Sequence, residues 1–206
     1  RTGRDRQDAQ RKQQLAEFVG IVTHHTMVHE QLGRDALAAS ANISAGEQLQ
    51  RAAVYYHYAK YLFVQDMAQH RAAHAKAVEC HTLALPHLDP PGERVMIPYE
   101  GKHLAAVLRK PGNVVRAPVV LMTMGLDSTK EEWDSFALTF LKRGMATLAF
   151  DGPGQGESWF QGGLIVGFER ATSAVIDYLE TSSQIDASRI GVFGPSMGGY
   201  LAPRSA

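Results

Sequence analysis

The sequence predicts an α/β fold, a mostly parallel sheet with helices on its faces, preceded by an all-helical domain. Two observations carry this expectation. From Gln7 to Leu85 apolar residues recur at helical spacing, as at Leu15, Phe18, Val19 and Val22, and no proline comes before Pro86. Beyond residue 93, short apolar runs alternate with helical ones. The chemistry changes at His87-Leu88-Asp89-Pro90-Pro91-Gly92, because prolines and glycine stop helices. The expected domains are therefore 1–88 and 89–206.

Each element follows from local pattern. In the helical part, Gly33 and the Ser40–Gly46 stretch should divide the helices. Ser44 and Glu47 have the spacing of a capping box, which would start the helix carrying Tyr55, Tyr56, Tyr58 and Tyr61. In the second part, Arg94–Pro98 and His103–Arg109 read as strands joined by a turn at Glu100-Gly101. The apolar run Pro118–Met124 suits a strand buried on both faces. Glu131–Lys142 reads as a helix stopped by Gly144, and Ala146–Phe150 as a strand. Phe168–Thr181 reads as a helix, Arg189–Phe193 as a strand, and Met197 onward as a helix. About five strands come before or at this last junction. The sheet is accordingly expected to be unfinished, with the chain stopping inside the domain. The chain also starts at Arg1 without a Met inside a helical pattern, so upstream sequence or a leader is expected to have been lost.

Composition narrows the function classes. Hydrophobic residues make up 45% of the 206, enough for a sizeable core. Lys+Arg and Asp+Glu are both 21, so the net charge is zero and the basic excess of a nucleic-acid binder is missing. Arg1, Arg4, Arg6, Arg11 and Lys12 are interleaved with Asp5 and Asp8 and read as a solvated helix face. The single cysteine, Cys80, allows no intrachain disulfide, fits a cytoplasmic location and reads as a packing residue. No apolar run approaches the ~20 residues that span a bilayer, and no signal peptide is visible.

The motif that carries chemistry is Gly194-Pro195-Ser196-Met197-Gly198, a Gly-x-Ser-x-Gly pattern. It lies directly after the apolar strand Ile190–Phe193 and before a helix-compatible run. That is the context of a nucleophile elbow in the α/β-hydrolase fold, where a strand turns sharply into a helix and exposes a strained serine. Small neighbours two residues away avoid collision. Ser196 is therefore the candidate nucleophile. The candidate oxyanion hole is the backbone N–H of Met197 with an N–H from the Gly125-Leu126 loop after the third strand. In this fold the acid and the histidine follow the serine in the chain. Only ten residues follow Ser196, none of them Asp, Glu or His, and all nine histidines precede it.

Weaker features carry less. Asp151–Glu157 is glycine-rich, but it lacks the P-loop spacing and Pro153 removes a backbone donor. It reads as a tight turn at the C-terminal edge of the sheet, bordering a pocket. His25/His29 and His70/His74 each share a helix face, yet no convincing third ligand accompanies them, so no metal and no cofactor are expected. The cluster Tyr55, Tyr56, His57, Tyr58 and Tyr61 suits either domain packing or the lining of a substrate pocket.

Three stretches carry a family resemblance: Gly125-Leu126-Asp127-Ser128-Thr129-Lys130-Glu131-Glu132, Arg143-Gly144-Met145-Ala146-Thr147, and Phe150-Asp151-Gly152-Pro153-Gly154-Gln155-Gly156-Glu157. With Arg51-Ala52-Ala53 and Tyr56-His57-Tyr58-Ala59 they resemble the 2,6-dihydroxypseudooxynicotine hydrolase family. Its wider relatives are fungal polyketide-shortening pigment hydrolases and fermentation-respiration-switch-type esterases. The resemblance implies a helical N-terminal domain covering the active site of an α/β-hydrolase core. It implies a Ser-Asp-His triad whose last two members lie beyond residue 206, and cleavage of carbon–carbon bonds next to a ketone, or of esters. It also implies an assisting carboxylate, which falls on Asp127, where the nicotine-degrading branch carries Glu. The expected partner is a small-molecule substrate bound near Gly125, Tyr56 and His57, with no nucleic acid and no membrane, and with a homodimer left open. A non-catalytic binding protein on the same fold is the rival from another class. The intact elbow argues against it, because a strained exposed serine costs stability without a catalytic return.

Overall fold

The computed structural model describes residues 24–62 and 66–206. The helical spacing at Leu15–Val22 and the basic cluster of the first twelve residues lie outside the described residues, as does the Tyr61 side chain. The chain divides into two compact units, Arg1–His87 and Leu88–Ala206. Among the described residues, no helix is long and apolar enough to cross a membrane.

The first unit contains α1 over 24–38, α2 over Asn42–Leu62, α3 over Met67–Ala84 and a 3-10 turn over Leu85–His87. The end of α1 is a Schellman closure. Ser40 stands at φ 58°, Ala41 N–H bonds to Ala36 O and Ser40 N–H to Leu37 O. Ala41 O then accepts from Ala45 N–H, so α2 is running by Asn42 and Ser44 sits inside its first turn. The expected capping box is thus displaced by a tighter connection. Gly33 does not divide α1 either. A Cβ there would lie 2.6 Å from Leu49 Cγ, so this glycine permits close packing of α1 on α2. Buried Ala45, Leu49, Ala52 and Ala53 of α2 and Ala73, Ala77 and Cys80 of α3 form the core of the unit. Burial pushes the Cys80 thiol up to about 12, which suits a packing residue. Asp66 caps α3 by accepting from the N–H groups of Ala68 and Gln69.

The second unit is a five-stranded mixed sheet in the order β1-β2-β4-β3-β5. The strands are β1 Gly92–Tyr99, β2 Lys102–Arg109, β3 Ala117–Thr123, β4 Ala146–Phe150 and β5 Ile185–Phe193. β1 and β2 form an antiparallel hairpin whose turn residues, Glu100 and Gly101, both have positive φ. β2 runs antiparallel to β4, while β3 runs parallel to both β4 and β5. The helices are α4 Asp134–Leu141, the single turn α5 Gly156–Trp159, α6 Phe168–Glu180 and α7 Met197–Ser205.

Both faces of the central strands are buried, which explains their apolar runs. Val119, Leu121, Leu148 and Phe150 pack with Phe168, Val175 and Leu179 of α6 and Leu201 of α7. Val120, Met122 and Ala149 pack on the opposite side with Trp133 and with Ala137 and Leu141 of α4.

Two element boundaries depart from the pattern. β5 begins at Ile185, four residues before the expected Arg189, and a register irregularity accompanies this first half. Its polar run is held locally, with Ser188 Oγ and Arg189 Nε donating to the Asp186 carboxylate. The helix expected from Glu131 starts only at Asp134, because Lys130–Glu132 form a 3-10 turn that buries Lys130 and Glu131.

Candidate active site

Ser196 sits where β5 turns into α7, with φ 55° and ψ −129°. A non-glycine residue in this region is strained by ~1–3 kcal/mol and persists only where its surroundings over-determine it. Here they do. A Cβ on Gly194 would lie 2.3 Å from Thr123 Oγ1 and 2.6 Å from the Gly198 carbonyl carbon. A Cβ on Gly198 would lie 2.3 Å from Thr123 O. Both glycines of the motif are thus demanded by the close approach of β3. The buried Thr123 hydroxyl lies 3.1 Å from Gly198 O and 3.3 Å from Phe193 O, so it can tie the end of β5 to the first turn of α7. The Ser196 side chain is exposed and makes no capping bond to α7.

The loop after β3 lies against this turn. A Cβ on Gly125 would be 3.6 Å from Ser196 Cβ, so Gly125 and Ser196 are brought together. Leu126 and Asp127 follow on the same loop and are exposed. Met197 opens α7 directly after Ser196.

Beneath this loop is a buried polar layer. Gln155, 1% exposed, donates from Nε2 to Met124 O at 2.8 Å and to Gly125 O at 2.9 Å. Asp151 closes β4's end as a hub. Its carboxylate accepts from Lys130 N–H at 3.0 Å, Lys130 Nζ at 2.8 Å and Glu157 N–H at 3.0 Å. Gly156, at φ 43°, is required here because a Cβ would lie 2.1 Å from Asp151 Oδ2. The Lys130 ammonium also meets Glu131 at 2.6 Å and Glu157 at 2.7 Å, and Arg94 pairs with Glu157 at 2.7 Å.

Burial alone would lower the Lys130 pKa, but Asp151, Glu131 and Glu157 outweigh it and raise it, so the group stays an ammonium. Burial pushes Asp151 upward against the pull of Lys130. Glu131, Asp151 and Glu157 bring three carboxylate oxygens within 4.8 Å of one another, a spacing that could hold a cation. Lys130 Nζ already stands among them at 2.6–2.8 Å and supplies that charge.

Tyr56 and His57 belong to the helical unit. The Tyr56 hydroxyl donates to Glu30 at 2.6 Å, and Tyr56 lines a groove of ≈ 210 Å³ with Thr26, Ala59 and Lys76. His57 is buried, with its ring edge against Tyr58. Of the paired histidines, His29 meets Gln48 Oε1 at 2.6 Å and His70 meets Lys60 O at 2.9 Å. Pro153 and Gly154 of the glycine-rich turn border a cavity of ≈ 250 Å³ with Tyr99, His103, Leu104 and Ile165, and Ser196 is not among its lining residues. The sequence reading missed Thr123, Lys130, Asp151 and Gln155 as supports of the elbow and its loop. The available signals were a threonine inside an apolar run and a lysine and glutamine inside the stretches that carry the resemblance.

Comparison with known proteins agrees with this architecture. The family model described as Esterase FrsA-like matches residues 16–206. The chain is 39% identical over 178 residues to a 2,6-dihydropseudooxynicotine hydrolase of Paenarthrobacter nicotinovorans, a match covering 86% of this chain and 48% of that protein. It is 34% identical over 197 residues to the hydrolyase poxO of Penicillium oxalicum, covering 85% and 45%. The crystal structure of the 2,6-dihydroxy-pseudo-oxynicotine hydrolase superposes with a TM-score of 0.84 at 37% identity, over 89% of this chain and 52% of that one. The chain therefore spans about half the length of the relatives it matches. The sheet and these matches place the chain in the FrsA-like esterase family of the α/β-hydrolase fold.

Proposed function

We propose that the protein is a serine hydrolase acting on a small carbonyl compound, with Ser196 as nucleophile. The observation that supports this most is the strained backbone of Ser196, held at a strand–helix turn by two glycines that the neighbouring strand requires. In the proposed reaction, Ser196 Oγ forms a bond to the carbonyl carbon as its proton passes to a histidine base. The fold's chain order puts that base, and the acid that orients it, after the nucleophile. The carbonyl oxygen becomes an oxyanion and accepts from the N–H groups of Met197 and Leu126, each worth ~3 kcal/mol to the transition state. Collapse breaks the bond to the leaving group, which takes the proton from the base. Water then attacks the acyl-enzyme and releases the carboxylic acid and Ser196.

The leaving group is proposed to be carbon. The motivation is the similarity to a pseudooxynicotine hydrolase, together with an acidic residue on the loop that abuts Ser196. A carbon leaving group departs as a carbanion equivalent that must be stabilised while the base delivers its proton, and Asp127 is the candidate for assisting there. An ester reading is favoured by the family's esterase description and needs no such help. Kinetics on a β-diketone and on a p-nitrophenyl ester separate the two. Asp127→Asn should slow the diketone ~100-fold or more and spare the activated ester. Equal loss on both substrates would assign Asp127 a structural role in the loop. Turnover surviving Ser196→Ala would overturn the whole reading.

A further inference from the structure

We infer that Gln155 is the positioning residue of the oxyanion loop, setting the direction of the Leu126 N–H from beneath. This rests on the reading of that N–H as an oxyanion donor. A peptide is planar and trans, so its carbonyl and the following N–H point in opposite directions. Gln155 Nε2 holds the carbonyls of both Met124 and Gly125, which turns the next N–H groups, those of Gly125 and Leu126, away from Gln155. Gly125 is thus gripped through its oxygen while a Cβ added to it would lie 3.6 Å from Ser196 Cβ.

An amide suits this task. One nitrogen must offer two donors to two adjacent carbonyl oxygens, which a carboxylate cannot do and which fixes the amide's orientation. The backbone that carries this side chain is also well anchored. Gln155 N–H bonds to Gly152 O at 2.9 Å, and Gln155 O accepts from Trp159 N–H at 3.0 Å. Its Oε1 is buried without a protein partner among the described residues. The contacts this side chain makes to the loop are thus its two donor bonds.

The test uses the full-length protein, p-nitrophenyl acetate as substrate and phenylboronic acid as the tetrahedral analogue. Gln155→Met keeps length and volume but donates nothing. It should lower kcat ~10- to 100-fold, with boronate affinity falling in parallel and KM changing less than ~2-fold. Gln155→Glu should be equally slow while ionised. As the pH falls and the buried carboxyl protonates, it regains one O–H donor, and its activity relative to the parent should rise. Unchanged kcat in Gln155→Met, a rise in KM alone, or a flat pH ratio in Gln155→Glu would overturn the inference. Loss of the fold in both variants, seen by circular dichroism, would do the same by making Gln155 a stability residue. Turnover lost in Ser196→Ala but intact in Gln155→Met sinks this inference alone. Turnover surviving in Ser196→Ala sinks the nucleophile and this inference together.

Discussion

Single residues in this protein are held in unusual states by their neighbours. Ser196 keeps φ 55° because Thr123 and the two motif glycines leave the turn no roomier path. In the helical unit, Glu30 collects the Tyr56 hydroxyl, the Lys76 ammonium at 2.9 Å and the Arg34 guanidinium at 2.7 Å, and so ties three helices. Burial would raise its pKa, yet the bonds from Tyr56, Lys76 and Arg34 outweigh it and lower it from 4.5 to about 2. A depressed carboxyl pKa stabilises the fold above the ordinary value. That contribution is lost as the pH falls from 4.5 toward 2. With solvent screening it should amount to about 1–2 kcal/mol. Thermal melts of the parent and Glu30→Gln should therefore differ at pH 7 and converge toward pH 2. A gap that stays constant across this range would show that Glu30 contributes by packing alone.

At the scale of elements, the loops after β3 and β4 are joined by charge. Lys130 from one loop stands among Asp151, Glu157 and its own neighbour Glu131. Removing one partner of a buried ion cluster leaves the others uncompensated and costs ~3–5 kcal/mol. Lys130→Met should lose stability on that scale in urea unfolding, and part of the loss should be recovered at low pH as the carboxyls protonate. A loss under ~1 kcal/mol would mean that the ammonium is not the keystone of these loops. Elements were legible where burial speaks through composition, as in β3 and β4, whose side chains face apolar layers on both sides. They were illegible where local bonding overrides pattern. The start of β5 is polar because Asp186 satisfies Ser188 and Arg189 beside it. Lys130 and Glu131 look like a helix surface but turn into the core. Gly33 and Ser44 carry breaker and cap chemistry, yet packing on Leu49 and the Schellman closure decide their conformations.

At the scale of the whole molecule, the α/β class follows from alternating element types, and the strand–helix turn at Ser196 follows from a five-residue motif. The layer beneath it does not. Gln155 meets Gly125 across 30 residues and Thr123 meets Gly198 across 75, distances at which no local pattern signals contact. The chain's place among FrsA-like hydrolases gives the fold, and the chemistry proposed for it rests on one hydroxyl. The measurement that tests this most directly is labelling of the full-length protein with a fluorophosphonate, followed by peptide mapping. One adduct on Ser196 is predicted, formed in step with loss of turnover and missing in Ser196→Ala. An adduct on another serine, or full turnover after Ser196 is modified, would contradict the assignment.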